Sequence, residues 1–417
     1  MSDEQAIVDG FPVLHGFDPL SPEQAADPYA RLAVAREEMP VFYIPKLDLW
    51  CLTRMEDVLE AFRNTEHFSN SHEEVGIPPA EIAAEMPEGH PVSHSLDATD
   101  PPAHTRIRKL AQKAFTPRQV SGREEDVRAI CNGLMDEFVD RGHADLLSEF
   151  TTHIPVRVIA EIAGLPREQA PTIKQWTDDW FAIWMGDDTP EERLERWRRT
   201  ADFDRYIRAF VEERRANPQD DLTSSLVHAT SDDGDPSLST FEVICVLAGI
   251  VAAGSDTTSV LLCEAVYQLL THPDTWERVK ADRSLIPRAI EETLRLRNPV
   301  RGLRRVAKCP IEIGGARISE GAAMYVHVGS ANHDKTIFDR PDEFDIDRSN
   351  LTEHVAFGKW THFCLGAPLA RLEARVALEC LIDRLPDMRL AEGERGGLEY
   401  IPNAILPGVR HLDIAWG

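Results

Sequence analysis

The sequence is poor in paired cysteines and in basic residues. Its seven cysteines are odd in number and widely spaced, and no Cys-x-x-Cys pair occurs among 417 residues, which argues against a disulfide framework and against a structural zinc site. The 45 Lys and Arg residues are outnumbered by 71 Asp and Glu residues, which leaves a net charge of −26. A protein of this net charge repels the phosphates of nucleic acids and of anionic membranes, so we expect neither partner.

Targeting and anchoring segments are also lacking. The first ten residues, MSDEQAIVDG, do not have the basic-then-apolar layout of a signal peptide, and the most apolar stretch, Val243 to Ala253, is too short to cross a bilayer. No Gly/Ser-rich linker, internal repeat or low-complexity tract divides the chain. We expect a cytoplasmic protein without membrane contact, whose residues 1–417 form a single large domain.

Helical hydrophobic periodicity is the dominant pattern. It predicts helices at about Pro28–Arg36, Thr105–Ala114, Glu124–Val139, Thr152–Ala163, Glu191–Asn217, Phe241–Thr271, Pro287–Leu296 and Pro368–Leu385. Short strand-like segments lie at Val41–Thr53 and Gly302–Val328, so we predict a mainly α fold with small β-sheets, of the α+β class. Two regions, Asn70–Thr99 and Gln175–Asp188, are predicted to be irregular. Their apolar side chains either cover a binding site or serve ordinary core packing.

A cysteine at a helix N-terminus is the first candidate functional residue. Cys364 precedes a helix whose apolar residues recur at helical spacing, namely Leu365, Leu369, Leu372 and Val376. Exposed backbone N–H groups and the helix dipole favour a thiolate there, which suits a nucleophile, a redox sensor or a metal ligand. From this clue alone, a buried structural cysteine is the alternative.

The residues around Cys364 resemble the haem-ligand loop of the cytochrome P450 family, Phe-x-x-Gly-x-His-x-Cys-x-Gly. Phe357, His362, Cys364 and Gly366 match, and the run Gly-Ala-Pro-Leu-Ala-Arg-Leu-Glu that follows is similar to that of bacterial members. Trp360 stands where the family has glycine, whose backbone freedom lets the loop lie close to the porphyrin. The resemblance implies the cytochrome P450 fold, with haem b bound and Cys364 as the axial ligand of the iron.

The long apolar helix carries an acid and two hydroxyls in the run Ala253-Gly-Ser-Asp-Thr-Thr. A Thr hydroxyl can donate to the carbonyl four residues earlier and distort the helix, which opens a groove for oxygen and water. A locally bent helix with a solvated Asp is the alternative. The run resembles the family's oxygen-activation motif, which gives Thr257 the role of holding dioxygen and a proton-delivering water, and Asp256 the role of relaying protons from solvent.

A Glu-x-x-Arg pair, Glu292 and Arg295, is weak evidence by itself. The same spacing occurs at Glu125/Arg128, Glu195/Arg198 and Glu212/Arg215. The order of motifs in the cytochrome P450 family selects the pair Glu292/Arg295, because this pair follows the helix of Thr257 and precedes Cys364. With Arg348 it resembles the family's structural Glu-Arg-Arg triad, which implies a role in folding and haem retention.

Four residues are predicted to bind the two haem propionates, which need positive or hydrogen-bonding partners once they leave water. His104 and Arg108 lie four residues apart on a predicted helix and so share a face. By resemblance, Arg305 and His362 complete the set. For any one of them alone, a solvated surface residue is the alternative.

The resemblance implies a haem-thiolate monooxygenase that inserts one oxygen atom of O2 into an organic substrate and reduces the other to water. Electrons would pass from NAD(P)H through a ferredoxin reductase and a separate ferredoxin, since we find no flavin or iron–sulfur domain in the sequence. An acidic ferredoxin needs a local basic patch. The sequence offers Arg106, Lys109, Lys113, Lys359, Arg371 and Arg375, unless these are scattered solubilising charges.

The predicted substrate is a small, mostly apolar organic molecule. The predicted pocket lining is Ala248, Gly249, Ala252, Ala253, Val300, Leu303, Ile405 and Leu406. Arg301 either pairs with a substrate carboxylate or, as we favour, points outward. A peroxide-driven or rearranging haem-thiolate enzyme and a non-catalytic haem sensor or binding protein are the alternative functions. The intact Asp256/Thr257 pair favours the dioxygen route, whereas a sensor would better tolerate Trp360.

Overall fold

The computed structural model describes residues 5–8, 10–71, 77–86, 91–115, 120, 122–185, 188–230, 237–392 and 397–417. The eight predicted helices are confirmed to within a few residues at each end, and further helices that the pattern did not predict include Met55–Arg63 and Pro273–Ala281. Within the described residues the α-helices are Pro22–Ala26, Tyr29–Glu38, Met55–Arg63, Ala80–Ala83, Ala103–Ala111, Glu124–Asp136, His153–Ala163, Ala170–Met185, Pro190–Ala216, Leu222–Val227, Thr240–Thr271, Pro273–Ala281, Ile286–Leu296, Val328–Ala331 and Ala367–Arg384.

The β-structure is confined to small sheets, as predicted. The largest sheet has five strands in the order Val41–Ile44, Leu49–Leu52, Ala323–Val326, Leu303–Ala307 and Phe68–Ser69, of which the second and third pair in parallel and the others antiparallel. The remaining strands form smaller sheets and are Gln5–Val8, Phe11–Leu14, His143–Asp145, Ile311–Ile313, Ala316–Ile318, Arg389–Leu390, Tyr400–Ile401, Gly408–Val409 and Asp413–Ala415. The α+β prediction is confirmed.

The helix Thr240–Thr271, called the central helix below, runs through the main hydrophobic core. A capping box starts it: the Ser239 hydroxyl accepts from the backbone N–H of Glu242, and the Glu242 carboxylate accepts from the backbone N–H of Ser239. The prediction that the apolar stretch is too short to cross a bilayer does not hold for the whole helix, which is long and apolar enough to do so. In this fold, however, 67% of its most apolar window is buried inside the protein.

The prediction of an irregular segment at Gln175–Asp188 is wrong for most of its length. The chain is helical over Ala170–Met185, because Ile173, Trp176, Trp180 and Ile183 recur at a spacing of three and four residues and pack inward. The bulky aromatic residues obscured this period. In the other irregular region, Asn70–Thr99, residues 72–76 and 87–90 lie outside the described residues, and the rest consists of short turns around the helix Ala80–Ala83.

A buried carboxylate ties the helix Ala170–Met185 to the helix Pro190–Ala216. Asp179 is fully buried and accepts from Arg199 Nε at 2.6 Å, from Arg199 Nη2 at 2.8 Å and from Arg196 Nη1 at 2.9 Å. A buried charge needs such pairing and hydrogen bonding. The two helices therefore form a hairpin, called the lid hairpin below, and both of its helices pack on the central helix.

Glu292 is the centre of the triad that the sequence predicted. Its carboxylate accepts from Arg295 Nε and Nη2, both at 2.8 Å, from Arg348 Nε at 2.9 Å and from the backbone N–H of Asp345 at 3.0 Å. The remaining guanidinium N–H groups donate to backbone carbonyls, which are those of Asn332, Asp339, Arg340, Pro341 and Glu343. The triad thus holds the irregular chain that leads to the cysteine.

We expect Glu292→Gln to destabilise the protein by about 3–5 kcal/mol, because it leaves two buried arginines without their shared counter-charge. The matched control is Glu195→Gln, which removes the same Glu-x-x-Arg spacing from an exposed pair, Glu195 and Arg198. That loss should stay within about 1 kcal/mol. Urea unfolding of both variants measures the difference, and equal losses would contradict the structural role of Glu292.

Candidate active site

The segment Phe357–Gly366, called the cysteine loop below, turns back on itself before the helix Ala367–Arg384, called the cysteine helix. The backbone N–H of Cys364 donates to the carbonyl of Phe357 at 2.8 Å, and the N–H of Ala367 donates to the carbonyl of Cys364 at 3.4 Å. Gly358 sits at the first bend with φ of 67°. Cys364 therefore lies immediately before a helix N-terminus, as predicted.

Trp360 adopts a left-handed backbone conformation with φ of 53°. The turn Trp360–His362 is a short 3-10 helix, and its first carbonyl accepts from the N–H of Phe363 at 3.1 Å. A left-handed residue with a side chain costs about 1–2 kcal/mol relative to glycine. The loop thus keeps a conformation suited to glycine despite the tryptophan, whose side chain is 51% exposed.

The expectation that the helix N-terminus favours a thiolate holds only in part. Burial raises the pKa of the Cys364 thiol, while hydrogen bonds from the N–H groups of Gly366 and Ala367 and the charges of Arg108 and Arg371 act against this rise. The net effect is a raised pKa, because desolvation penalises the thiolate more strongly than these partners stabilise it. A bound metal cation would reverse that balance, since a coordinating thiol loses its proton.

The structure brings together three of the predicted propionate-binding residues around the cysteine loop. The rings of His104 and His362 lie 4.0 Å apart between centroids. Arg108, one turn after His104, donates from Nη2 to the carbonyl of Phe363 at 2.6 Å. Burial lowers the pKa of His104 to about 4, with a smaller contribution from Arg108.

Arg305, the fourth residue of the set, lies on the strand Leu303–Ala307 and is 3% exposed. Burial lowers the pKa of its guanidinium to about 10, against the opposing charges of Asp100 and Asp97. Its Nη1 donates to the carbonyl of Arg304 at 2.7 Å. Since the Asp100 charge also acts on His104, Arg305 belongs to the same electrostatic environment.

These residues fit a haem, because they bring together positive charge without a paired carboxylate and a buried imidazole without a hydrogen bond, as seen in the described residues. Among the residues that the structure describes, neither ring nitrogen of the buried His104 has a hydrogen-bond partner. Within the same ranges, neither Arg108 nor Arg305 forms an ion pair with a carboxylate, although carboxylates are their natural partners. Two carboxylates of a ligand would satisfy this donor set, next to a cysteine suited to bind its metal.

The hydroxyl of Thr257 donates to the carbonyl of Ala253 at 2.8 Å, as the sequence predicted. Around this bond the central helix has an accessible stripe, formed by Gly249, Ile250, Ala253, Asp256 and Thr257, within a helix that is otherwise mostly buried. Most of this stripe is apolar. It presents a hydroxyl and a carboxylate only at its C-terminal end.

Asp256 has a partner that the sequence did not reveal. Lys174, on the lid hairpin, places its Nζ 3.2 Å from Asp256 Oδ1 and also pairs with Asp178. Burial raises the pKa of the Asp256 carboxyl, and Lys174 acts against this rise. Lys174 itself is partly buried, but Asp256 and Asp178 outweigh the effect of burial and raise its pKa. The sequence pattern predicted no helix over Ala170–Met185, so no spacing rule could have linked Lys174 to Asp256.

Five of the eight residues of the predicted pocket lining are at least partly accessible. Gly249 and Ala253 lie on the accessible stripe, and Val300, Leu303 and Ile405 are partly exposed, whereas Ala248, Ala252 and Leu406 are buried in the core. The turn around Ser95 covers the stripe, since a Cβ on Gly249 would lie 3.4 Å from the Ser95 Cβ. This part of the irregular region Asn70–Thr99 therefore packs over the central helix.

The prediction that Arg301 points outward is wrong. Its side chain is 4% exposed, and its Nη2 donates to the carbonyl of Ala25 at 3.3 Å. The guanidinium lies over the rings of Tyr29 and Tyr400, at 5.3 and 5.8 Å from their centroids. Cation–π contacts of this kind help to hold a buried arginine in place.

Half of the predicted basic patch is neutralised by acids of the same chain. Arg106 pairs with Glu242, Arg371 with Glu291, and Arg375 with Glu124 and Glu379. Lys113 donates to the carbonyl of Thr230 at 2.8 Å. What the cysteine loop shows to solvent is instead partly aromatic, since Phe363 is 38% exposed beside Trp360.

Comparisons with known proteins agree with one another. A family model described as Cytochrome P450 matches residues 42–386. The chain is 36% identical over 412 residues to cytochrome P450 107B1 of Saccharopolyspora erythraea, covering 97% of this chain and 98% of that protein. It is 34% identical over 398 residues to putative cytochrome P450 YjiB of Bacillus subtilis, covering 94% of each.

A solved structure shows the same fold. Cytochrome P450 CREJ in complex with (4-ethylphenyl) dihydrogen phosphate superposes with a TM-score of 0.88 at 30% sequence identity. The match covers 97% of this chain and 100% of that one.

We expect Trp360→Gly to stabilise the protein by about 1 kcal/mol, because glycine adopts a left-handed φ without steric cost. Trp360→Ala is the matched control, since it removes the same exposed ring but keeps the side chain that makes this φ unfavourable. Urea unfolding of the two variants isolates the backbone effect. If both were equally stable, the left-handed conformation would not be a source of strain.

We expect Lys174→Met to destabilise the protein by about 1–2 kcal/mol near pH 7, because it leaves a buried carboxylate unpaired. Burial already raises the Asp256 pKa, and loss of Lys174 raises it further. The destabilisation should therefore be present above that pKa and disappear as the pH falls and Asp256 binds a proton. Unfolding measured across pH tests this. Asp178→Asn is the control, and a matching pH dependence in it would argue against the Lys174–Asp256 pair.

Proposed function

The chain belongs to the cytochrome P450 family and is a haem b-binding monooxygenase, and on this basis we propose its substrate class, its electron source and the roles of its residues. We propose that it inserts one oxygen atom of O2 into a small, mostly apolar organic substrate, with electrons from NAD(P)H delivered by a ferredoxin reductase and a ferredoxin. The observation that carries the proposal is the buried His104 ring, which has no hydrogen-bond partner among the described residues and lies beside His362 of the cysteine loop.

Cys364 is the proposed axial ligand of the haem iron. When bound, haem b supplies the activation of O2 and the oxygen insertion, and a thiolate ligand favours O–O cleavage. The protein's part is to hold the sulfur: the N–H groups of Gly366 and Ala367 hydrogen-bond to it, and the positive charges of Arg108 and Arg371 favour its ionised form. These contacts stabilise the anionic sulfur that coordination requires.

His104, Arg108, Arg305 and His362 are proposed to hold the haem propionates. Burial keeps His104 neutral near pH 7, since its pKa is about 4, so one of its ring nitrogens carries a proton to donate. The two arginines supply the positive charge. Their removal from water becomes favourable only when a carboxylate accepts from them, which couples haem binding to the ordering of this region.

Asp256 and Thr257 are proposed to handle protons. The Thr257 hydroxyl donates to the Ala253 carbonyl, so its oxygen lone pairs remain to accept a hydrogen bond from water on the accessible stripe. Asp256, at the C-terminal end of that stripe, pairs with Lys174 of the lid hairpin, and burial raises the pKa of its carboxyl. We propose that protons pass from the lid hairpin to the stripe through this carboxyl. A carboxyl with a pKa closer to neutrality exchanges protons more readily with its surroundings.

The accessible stripe supports an apolar substrate. Gly249, Ile250 and Ala253 offer no hydrogen-bonding side chain, and Val300 and Leu303 are also partly accessible apolar residues. Arg301 is withdrawn into a buried aromatic cluster, so it does not supply a carboxylate-binding group. Apolar contacts hold such a molecule without fixing its identity.

A separate ferredoxin is the proposed electron donor, as the family resemblance implies. We propose that it docks over the cysteine loop. Because Arg106, Arg371 and Arg375 already pair with acids, the exposed rings of Trp360 and Phe363 would carry more of this contact than a basic patch.

The absorption spectrum of the reduced protein with carbon monoxide tests the haem-ligand proposal. We expect a strongly red-shifted Soret band that is lost in Cys364→Ala and kept in Cys309→Ala, which removes another partly exposed cysteine. A histidine-like band in the unaltered protein would contradict thiolate ligation.

Turnover separates the dioxygen route from the alternatives. With ethylbenzene as an apolar probe, NAD(P)H, ferredoxin and its reductase, we expect an oxygenated product whose new oxygen comes from labelled O2. Product formed with peroxide alone but not with the electron-transfer proteins would favour a peroxide-driven enzyme. Binding of the probe without NAD(P)H consumption would favour a sensor.

A further inference from the structure

Two cysteines face each other where the cysteine helix packs against the helix Glu124–Asp136. Cys131 is fully buried and Cys380 is 3% exposed, and their thiols form a side-chain hydrogen bond. All seven cysteines of the chain are free in this structure. Arg128, three residues before Cys131 on the same helix face, lies 3.9 Å from Cys380 Sγ, so both thiols belong to one cluster between two packed helices that are far apart in the sequence.

The surroundings make the two thiols unequal. The hydrogen bond from Cys131 lowers the pKa of Cys380, and the nearby Arg128 guanidinium adds to this effect against the opposing effect of burial. Arg128 Nη1 lies 3.9 Å from Cys380 Sγ. Cys131, by contrast, has a raised pKa because it donates to Cys380 and is buried. Cys380 is thus the better nucleophile, and Cys131 is the thiol that would attack the oxidised Cys380 sulfur in a second step.

A cluster of charged side chains covers the pair. Arg128 and Arg375 each pair with both Glu124 and Glu379, so four side chains bridge the two helices above the sulfurs. The side chain of Arg128 is 35% exposed. Cys380 is therefore in contact with a side chain that itself reaches solvent.

We propose that Cys131 and Cys380 form a peroxide-sensitive dithiol that closes to a disulfide between the cysteine helix and the helix Glu124–Asp136. In the first step the Cys380 thiolate attacks one oxygen of hydrogen peroxide. An S–O bond forms, the O–O bond breaks, and the departing hydroxide takes up a proton to give water. Cys131 then attacks the sulfur of the Cys380 sulfenic acid, the S–S bond forms, and the S–O bond breaks. The hydroxide leaves with the Cys131 proton as a second water, so two electrons pass from the sulfurs to the peroxide.

The crosslink would act on the helix that directly follows the cysteine loop. It would join residues far apart in the chain, which removes more conformational freedom from the unfolded state than a short-range bridge does. Its effect should therefore appear first as greater thermal stability. The mechanism needs neither the substrate nor the electron partner proposed above.

The test treats the reduced holoenzyme with a small excess of hydrogen peroxide, blocks free thiols with iodoacetamide and maps the peptides by mass spectrometry without reduction. We expect two of the seven thiols to be lost, a crosslinked pair of peptides containing Cys131 and Cys380, and full recovery with dithiothreitol. The melting temperature of the treated protein should rise by roughly 4 °C.

Matched variants identify the pair. Cys131→Ser and Cys380→Ser should each abolish the crosslink and the rise in melting temperature, whereas Cys309→Ser should keep both. Arg128→Met should slow the reaction. The proposal is overturned if the unaltered protein loses no thiol at these two positions, if Cys380 is overoxidised without a crosslink, or if Cys131→Ser still gains stability on treatment.

Discussion

The buried carboxylate of Glu292 is the interaction on which the position of the active cysteine depends. It joins a helix to the irregular chain that follows the large sheet, by accepting from Arg295, Arg348 and the backbone N–H of Asp345. The free ends of the two guanidinium groups then satisfy carbonyls along that chain. An irregular segment lacks the regular backbone hydrogen bonds of a helix or sheet. Here the guanidinium groups of the triad supply hydrogen bonds to its carbonyls instead. The cysteine loop begins only a few residues after this anchored chain.

A second constraint is the uneven distribution of charge. The chain as a whole is strongly acidic, yet among the described residues near the cysteine loop Arg108 and Arg305 form no ion pair with a carboxylate, and His104 is buried without a hydrogen-bond partner. Elsewhere, as at Asp179 and Glu292, buried charges are fully paired. The contrast matters, because an unsatisfied donor in the interior is costly and is retained where a ligand satisfies it.

The two sides of the site contact different packed elements. On the side of the central helix, Asp256 is paired with Lys174 of the lid hairpin, so this carboxylate is electrostatically linked to that hairpin. On the other side, the cysteine helix packs on the helix Glu124–Asp136 through thiols and a charged cluster. Trp360 lies between these elements and solvent, and it holds a left-handed turn at some cost in strain.

The sequence by itself determined eight of the helices, the α+β class, the family and the residues in its local motifs. These features follow from spacing within one element or one loop: the apolar period of the helices, the Thr257 bond to Ala253 four residues earlier, and the Glu292/Arg295 pair. Only the tertiary structure decided that Lys174 pairs with Asp256, that Arg301 is buried between aromatic rings, that burial raises the Cys364 pKa, and that Cys131 meets Cys380. The physical reason is that charge pairing and desolvation depend on distance in space, whereas a sequence pattern reports only distance along the chain.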